Sequence, residues 1–276
     1  MLTINKNLIQ RTLAGALLVG GIVAAILWNI WSYALAFIFI SVCAVREFHK
    51  LTDRNADSLT SWLSAISAAI LFLTLLLHES QVLPPLYTHI AWAIYGLCIM
   101  TFIVSELFRR RPDPLADWEG MALAQICIAV PFALLNEVIF FHGAHHPMLL
   151  LALFVTIWCN DTFAYLFGSL FGRHQMAPRI SPKKTWEGFI GGAAGALLSG
   201  YIFSISDPEL TLLQWFIFSE IVVIFGTLGD LVESLLKRHL GVKDSGHAIP
   251  GHGGWLDRFD SMLLAAPAVT LYLYLI

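Results

Sequence analysis

Between Asp230 and Asp260 the chain gathers acids, bases and glycines that it elsewhere avoids. Nine of these residues are Asp, Glu, Lys or Arg, and apolar runs flank the segment on both sides. Asp230, Glu233, Ser234 and Lys237 follow at i, i+3, i+4 and i+7, so a helix carries them as one polar stripe. Asp257 and Asp260 repeat the i, i+3 spacing at the start of the next apolar run. Two helix ends can thus point carboxylates at one another. Oxygen-only donors of this kind suit Mg²⁺ and not zinc. Lys237, Arg238, Lys243 and Arg258 can neutralise phosphate oxygens. The turn Pro250-Gly-His-Gly-Gly254 can bring backbone close to a ligand. Its His252 is either a base or hydrogen-bond donor, or simply a residue that orients the loop. His239 and His247 read as ordinary loop histidines. The combination points to chemistry on a metal-bound phosphate. Ordinary helix capping explains less, because acids on both flanking helices coincide with a Gly-rich turn.

Two further clusters precede this one. Asn160-Asp161 interrupts an apolar run, with Asp161 about 18 Å of helix rise before Arg173. A carboxylate inside a membrane is costly and faces a cavity or a partner. Asp161, Tyr165, Gly168 and Gly172 share one helical face. A structural polar contact between helices is the competing reading. The second cluster is Arg179-Ile-Ser181-Pro-Lys183-Lys184-Thr185-Trp-Glu187-Gly188. Lysines, hydroxyls and backbone N–H groups just before a helix make an anion site, strengthened by the helix dipole. It is not a P-loop, since the glycines follow the lysines and no strand is expected before them. Gly188/Gly192 and Gly191/Gly195 read as a packing face of small residues.

The elements that must position these groups are membrane helices. Of 276 residues, 58% are apolar and 13% charged, against about 25% charged in soluble domains. Apolar stretches at about 12–27, 30–45, 60–77, 84–105, 121–141, 148–171, 188–206, 212–232 and 256–276 are of spanning length or near it. The expected fold is an all-α polytopic bundle of about nine spans. The first two spans form a tight hairpin broken near Trp28-Asn29-Ile30-Trp31, and the third is short. Residues 1–147 supply about five spans. Residues 148–276 carry the catalytic helices with a cytoplasmic motif loop at 233–256, in one integrated membrane domain. With nine spans every Lys and Arg falls on one side, and the loops near 28–30, 78–84, 142–147 and 206–211 have none. The positive-inside rule then puts the N-terminus in the cytoplasm and the C-terminus outside. The first apolar run lacks a convincing cleavage site and reads as a retained helix. This favours a bacterial cytoplasmic membrane. Cys43, Cys98, Cys127 and Cys159 all lie in apolar runs and read as small buried side chains.

At these residues the chain resembles a known family. The run Ser234-x-x-Lys237-Arg238-x4-Lys243-Asp244-x-Gly246-x-x-Ile249-Pro250-x-His252-Gly253-Gly254-x-x-Asp257-Arg258-x-Asp260 is similar to the C-terminal motif of phosphatidate cytidylyltransferases. Asp161-x-x-Ala164-Tyr165-x-x-Gly168 and Ser181-Pro-Lys-Lys184-Thr185-x-Glu187-Gly188 also resemble that family. The likeness covers about residues 160 to 260; earlier residues match only in being membrane helices. It implies Mg²⁺-dependent transfer of CMP from CTP to phosphatidic acid, giving CDP-diacylglycerol and pyrophosphate. It implies two metal sites, room for a monovalent cation, a homodimer in the lipid bilayer, and no role for nucleic acid. On this resemblance Asp230 and Asp257 become metal ligands and Asp260 a further ligand or supporting acid. Asp161 becomes a cavity residue near the metal, and Lys183, Lys184, Lys237, Arg238, Lys243 and Arg258 become phosphate contacts. Tyr165, Ser181, Thr185, Glu187, Ser234, Gly253 and Gly254 fall among the substrate-binding positions, and His252 beside the reacting groups.

Three other readings compete. A relative acting on another lipid, such as a CTP-dependent polyprenol or phytol kinase or an isoprenoid ether-lipid cytidylyltransferase, can use a similar site. A CDP-alcohol phosphotransferase needs an Asp-Gly-x-x-Ala-Arg run, which is absent. A transporter would show repeat symmetry or paired broken helices, and it leaves the 230–260 cluster unused.

Overall fold

The computed structural model describes residues 6–52, 59–109, 113–249 and 253–276. Each expected apolar stretch is helical. The helices are α1 (Lys6–Trp28), α2 (Ile30–Thr52), α3 (Leu59–Ser80), α4 (Pro85–Arg109), α5 (Pro114–Ala124), α6 (Val130–Ile139), α7 (Pro147–Phe171), α8 (Trp186–Ser206), α9 (Leu212–His239) and α10 (Leu256–Leu273). A π-helical turn, Gln125–Ala129, joins α5 to α6 without a break. Among the described residues, seven stretches are long and apolar enough to cross a membrane: α2, α3, α4, continuous α5–α6, α7, α8 and α9. The apolar part of α1, Thr12–Trp28, is shorter, and the 18 residues of α10 include Asp257, Arg258 and Asp260. The protein is therefore an all-α, polytopic membrane protein. The third helix, expected to be short, has 22 residues and ample length to span.

The chain divides into two compact units. Unit 1 comprises Met1–His145 with Asp244–Arg258. Its first two helices turn at Asn29, whose Oδ1 accepts from Trp31 N and Ser32 N, each at 2.9 Å, and so caps α2. Within the unit, Asn136 is fully buried and donates to Ala133 O at 2.8 Å and Phe72 O at 3.3 Å, while Tyr33 Oη donates to its Oδ1 at 3.3 Å. This network satisfies polar groups that lipid would leave stranded. Near the helix ends Arg46 lies 3.7 Å over the Trp62 ring, and Arg109 donates to Thr60 and Glu106, both at 2.8 Å.

Unit 2 comprises His146–Lys243 with Phe259–Ile276. Here α8 presses its glycine face onto α7. A Cβ at Gly191 or Gly195 would run into the rings of Phe167 or Phe163, and one at Gly188 would lie 2.9 Å from Ala164 O. The small-residue spacing in the sequence is this close helix–helix contact. Thr211 and Gln214 form a reciprocal cap at the start of α9.

Two details differ from expectation. Residues Gln175–Ala177 (β1) and Ser181–Thr185 (β2) form a small antiparallel hairpin, so a strand does precede the glycines of α8. The polar pair Lys183-Lys184 cannot enter lipid as a helix extension, and pairing with β1 satisfies its backbone instead. The four cysteines are free, but none is fully buried: Cys127 is exposed and the others half-buried. On a helix in lipid, an exposed thiol is as well solvated as a buried one, so an apolar run does not distinguish the two faces.

Candidate active site

Thr185 determines where α8 begins. Its Oγ1 accepts from Gly188 N at 3.1 Å, the usual side-chain cap of a helix start. The close approach of α7 locks this corner: a Cβ at Gly168 would lie 3.2 Å from Thr185 Oγ1. Lys183 and Lys184 therefore stand on β2 directly before a helix N-terminus, which favours anions.

Beside this corner, within unit 2, lies a cavity of about 300 Å³. Asp161 and Tyr165 of α7, Lys183, Lys184 and Thr185 of the hairpin end, and Asp230 of α9 all line it. Lys184 Nζ contacts Asp230 Oδ2 at 2.7 Å and points toward Thr227 O at 3.5 Å. Ser234 donates to Asp230 Oδ1 at 3.2 Å. The Lys184–Asp230 pair is partly exposed, at 26% and 31%, so it adds little to stability and exchanges cheaply for a ligand's charges. Asn160 also lines the cavity; it is 6% exposed and its Oδ1 lacks a hydrogen-bond partner.

One turn further along α9, Glu233 is buried. Gly229 lets α9 approach α10, since a Cβ there would lie 2.5 Å from Asp260 O. The carboxyls of Glu233 and Asp260 consequently lie side by side. Lys237 Nζ donates to Glu233 Oε2 at 2.9 Å, and Glu233 Oε1 is buried without a donor. Asp260 Oδ1 accepts from Ser261 N at 2.6 Å. The helix runs on to His239, so residues 233–239 of the expected motif loop are helical. It ends in a Schellman turn, with Gly241 at φ 70° and Val242 N donating to Lys237 O at 2.9 Å.

The remaining expected residues of unit 2 take other partners. Glu187 accepts from Arg173 N at 3.1 Å and His174 N at 3.2 Å and pairs with the His174 ring at 2.5 Å, latching the hairpin onto α8. Arg238 donates to Ile180 O at 3.3 Å and Val242 O at 3.4 Å. Ser181 sits in the hairpin register opposite Ala177, and Lys243 is exposed.

In unit 1, Asp257 Oδ2 accepts from Ser245 N at 2.9 Å and Gly254 N at 2.8 Å. Gly253, at φ 84°, closes the turn by accepting from Ile249 N at 2.9 Å. Arg258 is exposed. His252 lies outside the described residues, with Pro250 and Gly251. A residue absent from the sequence reading, Glu47 of α2, is 7% exposed and accepts from Trp255 N and Leu256 N, each at 2.9 Å, and from Ser245 Oγ. Its only signal in the sequence is an acid at the end of an apolar run, beside Arg46. Asn160 gave a comparable signal, a carboxamide within such a run.

Among the described residues no three or more His, Cys, Asp or Glu side chains are gathered to hold a metal ion. The carboxylates expected to do so are engaged instead, Asp230 by Lys184 and Ser234, Asp257 by backbone N–H groups, Asp260 by Ser261 N. In type they still fit a hard cation. All donors are oxygens, Glu233 Oε1 is an orphaned buried acceptor beside Asp260, and Mg²⁺ commonly takes only one or two carboxylates plus substrate phosphates.

Apolar helices around a cavity with lysines, a helix N-terminus and carboxylates define a membrane-embedded enzyme for a phosphate-bearing substrate. The sequence pattern of the cytidylyltransferase family matches residues 9–276, and the chain belongs to that family. It is a nucleotidyltransferase that uses CTP in lipid synthesis. It is similar to the phosphatidate cytidylyltransferase of Haemophilus influenzae, at 29% identity over 97% of this chain and 99% of that one. The Staphylococcus epidermidis phosphatidate cytidylyltransferase is 32% identical over 87% of this chain and 90% of its own length. With the Staphylococcus saprophyticus enzyme of the same name the identity is 47% over 132 residues, 48% of this chain and 50% of that relative.

Proposed function

We propose that the chain is a phosphatidate cytidylyltransferase of a bacterial cytoplasmic membrane, with its active site facing the cytoplasm. It transfers CMP from CTP to phosphatidic acid, giving CDP-diacylglycerol and pyrophosphate. The observation that carries this reading is the unit 2 cavity, where Lys183, Lys184 and the capped start of α8 meet Asp161 and Asp230. Similarity along nearly the whole length of the H. influenzae relative supports the substrate pair.

One substrate is a soluble, highly charged nucleotide and the other a lipid. A site where charged side chains cluster at the ends of membrane helices admits both. A phosphate oxygen of phosphatidic acid attacks the α-phosphorus of CTP, and the bond from that phosphorus to the oxygen bridging to the β-phosphate breaks. Pyrophosphate carries away the bonding electrons. The attacking oxygen is already ionised near neutral pH, so no general base is required. Lys183 and Lys184 bind and orient phosphate oxygens, and Asp161 shapes and charges the wall instead of abstracting a proton. Bound Mg²⁺ would supply charge neutralisation of the phosphates; Asp230 and Asp260 are the carboxylates of unit 2 that would hold it, and Asp257 is the carboxylate of unit 1 suited to the same role. A homodimer is the expected assembly.

The test is pyrophosphate release by purified protein in detergent, with CTP and phosphatidic acid, with and without Mg²⁺. Release that needs all three, with cytidine label entering the lipid, is the expected result. Label that enters only from the γ-phosphate of CTP would transfer the assignment to a CTP-dependent lipid kinase. No reaction with phosphatidic acid in folded protein would reject the substrate.

A further inference from the structure

A buried carboxylate is an expensive way to hold a loop, yet Glu47 of α2 does so within unit 1. Both its oxygens are spent on a single turn. Oε1 accepts from Leu256 N at 2.9 Å and from Ser245 Oγ, and Oε2 accepts from Trp255 N at 2.9 Å. The same turn supplies the two N–H groups that grip Asp257 Oδ2, from Ser245 and Gly254. Ser245 ties the two carboxylates together: its Oγ donates to Glu47 and accepts from Asp257 N at 3.3 Å. The turn is shaped around Glu47. A Cβ at Gly254 would collide with the Glu47 carboxylate, and one at Gly246 would lie 2.7 Å from its Oε2. Trp255 is held a second time, its ring edge-on to Phe39 of α2 at 5.5 Å.

We propose that Glu47 is a positioning residue: from the first half of the chain it holds Ser245 and residues 254–256 in the arrangement that orients Asp257. The inference rests on the reading of Asp257 as a metal-binding carboxylate. Groups that orient a ligating carboxylate lower metal affinity or activity by about 10–100-fold when removed. A glue residue of the fold would change stability alone.

The experiment compares wild type, Glu47→Gln, Glu47→Ala and Ser245→Ala in detergent. Amide hydrogen exchange is measured first, with Mg²⁺ and CTP but no lipid. In Glu47→Ala the Trp255 and Leu256 amides exchange at least about tenfold faster, while α3 and α7 stay protected. Turnover is measured next, across a Mg²⁺ titration. In Glu47→Ala kcat falls about 10–100-fold and half-saturation moves to higher Mg²⁺. Glu47→Gln keeps one acceptor and lies between. Ser245→Ala leaves the Trp255 and Leu256 bonds in place and still shifts the Mg²⁺ dependence. Lost protection at Trp255 and Leu256 with wild-type kcat and Mg²⁺ dependence would overturn the proposal. If Glu47→Ala does not fold, a wild-type Mg²⁺ dependence in Ser245→Ala overturns it equally. Should wild type fail to act on phosphatidic acid, the substrate assignment falls alone. The exchange measurement, repeated without Mg²⁺, still decides the role of Glu47: added Mg²⁺ slows the Ser245 and Gly254 amides in wild type but not in Glu47→Ala, and an equal Mg²⁺ effect in both would overturn the proposal.

Discussion

The Asp230 region and the Asp257 region hold their carboxylates in opposite ways. Asp230 is held by side chains, the ammonium of Lys184 at 2.7 Å and the hydroxyl of Ser234 at 3.2 Å. Asp257 is held by backbone, two N–H groups of a turn that Glu47 fixes in its place. Side-chain partners on rotatable stems can leave when a ligand arrives. Backbone donors in a glycine turn cannot. The first arrangement suits a group that must exchange a lysine for a cation or a phosphate. The second suits a group that must be in position beforehand, where preorganised dipoles need no reorganisation.

The sharpest test of that contrast removes both charges in turn. Asp230→Asn and Asp257→Asn are each expected to lower turnover at least about 10³-fold, with membrane insertion and thermal stability retained. Normal turnover in either variant would dissolve the metal assignment for that residue. The comparison adds a second readout. Asp257→Asn keeps a carbonyl for the Ser245 and Gly254 donors, so loop exchange stays slow. Asp230→Asn frees Lys184, which should tighten CTP binding in the absence of Mg²⁺. Next in size is Lys184→Met, expected to lower kcat/KM about 10²-fold, the scale of one charge-assisted hydrogen bond to phosphate. Steady-state kinetics with varied CTP measures it, and a change confined to phosphatidic acid would reassign the lysine.

The helices were legible in the sequence because lipid demands long apolar runs, and each expected run is helical. The α7–α8 contact was legible from glycines four apart. What the sequence concealed involves backbone or distance. Residues 175–185 carry no alternating apolar pattern, so their pairing as a hairpin left no trace beyond two lysines and a proline. The polar stripe on α9 shows its helical register in the sequence but not its end, since the charges from Glu233 to His239 resemble a loop while forming a helix. Glu47 lies about 200 residues from the turn it holds, and neither spacing nor composition reports a contact of that kind. Asn160 stands out in the sequence only beside Asp161, and its place in the cavity wall with an unpartnered Oδ1 is a matter of packing that spacing does not report.

Two smaller substitutions sharpen the contrast between backbone-held and side-chain-held acids. Gly254→Ala is expected to cost about tenfold in turnover, because its methyl group displaces the Glu47 carboxylate while Asp257 itself is unchanged. Combining it with Glu47→Ala makes room for the methyl, so the double variant should be no worse than Glu47→Ala alone. A strictly multiplicative loss would instead separate the glycine from the Glu47 network.

Ser234→Ala should have the smallest effect, about threefold in kcat, because the long 3.2 Å bond it removes leaves Asp230 still held by Lys184. Its hydroxyl donates to Asp230 Oδ1, opposite the oxygen that meets Lys184. Removing it leaves the carboxylate attached but free to rotate, which matters only if Asp230 moves during the cycle. In Lys184→Met, where Asp230 has already lost its stronger partner, removing the hydroxyl should therefore cost more than in wild type. A double-mutant cycle on kcat reads this directly. A loss in the Lys184→Met background equal to that in wild type would mean that the two partners act independently, and that Asp230 is held as rigidly as Asp257.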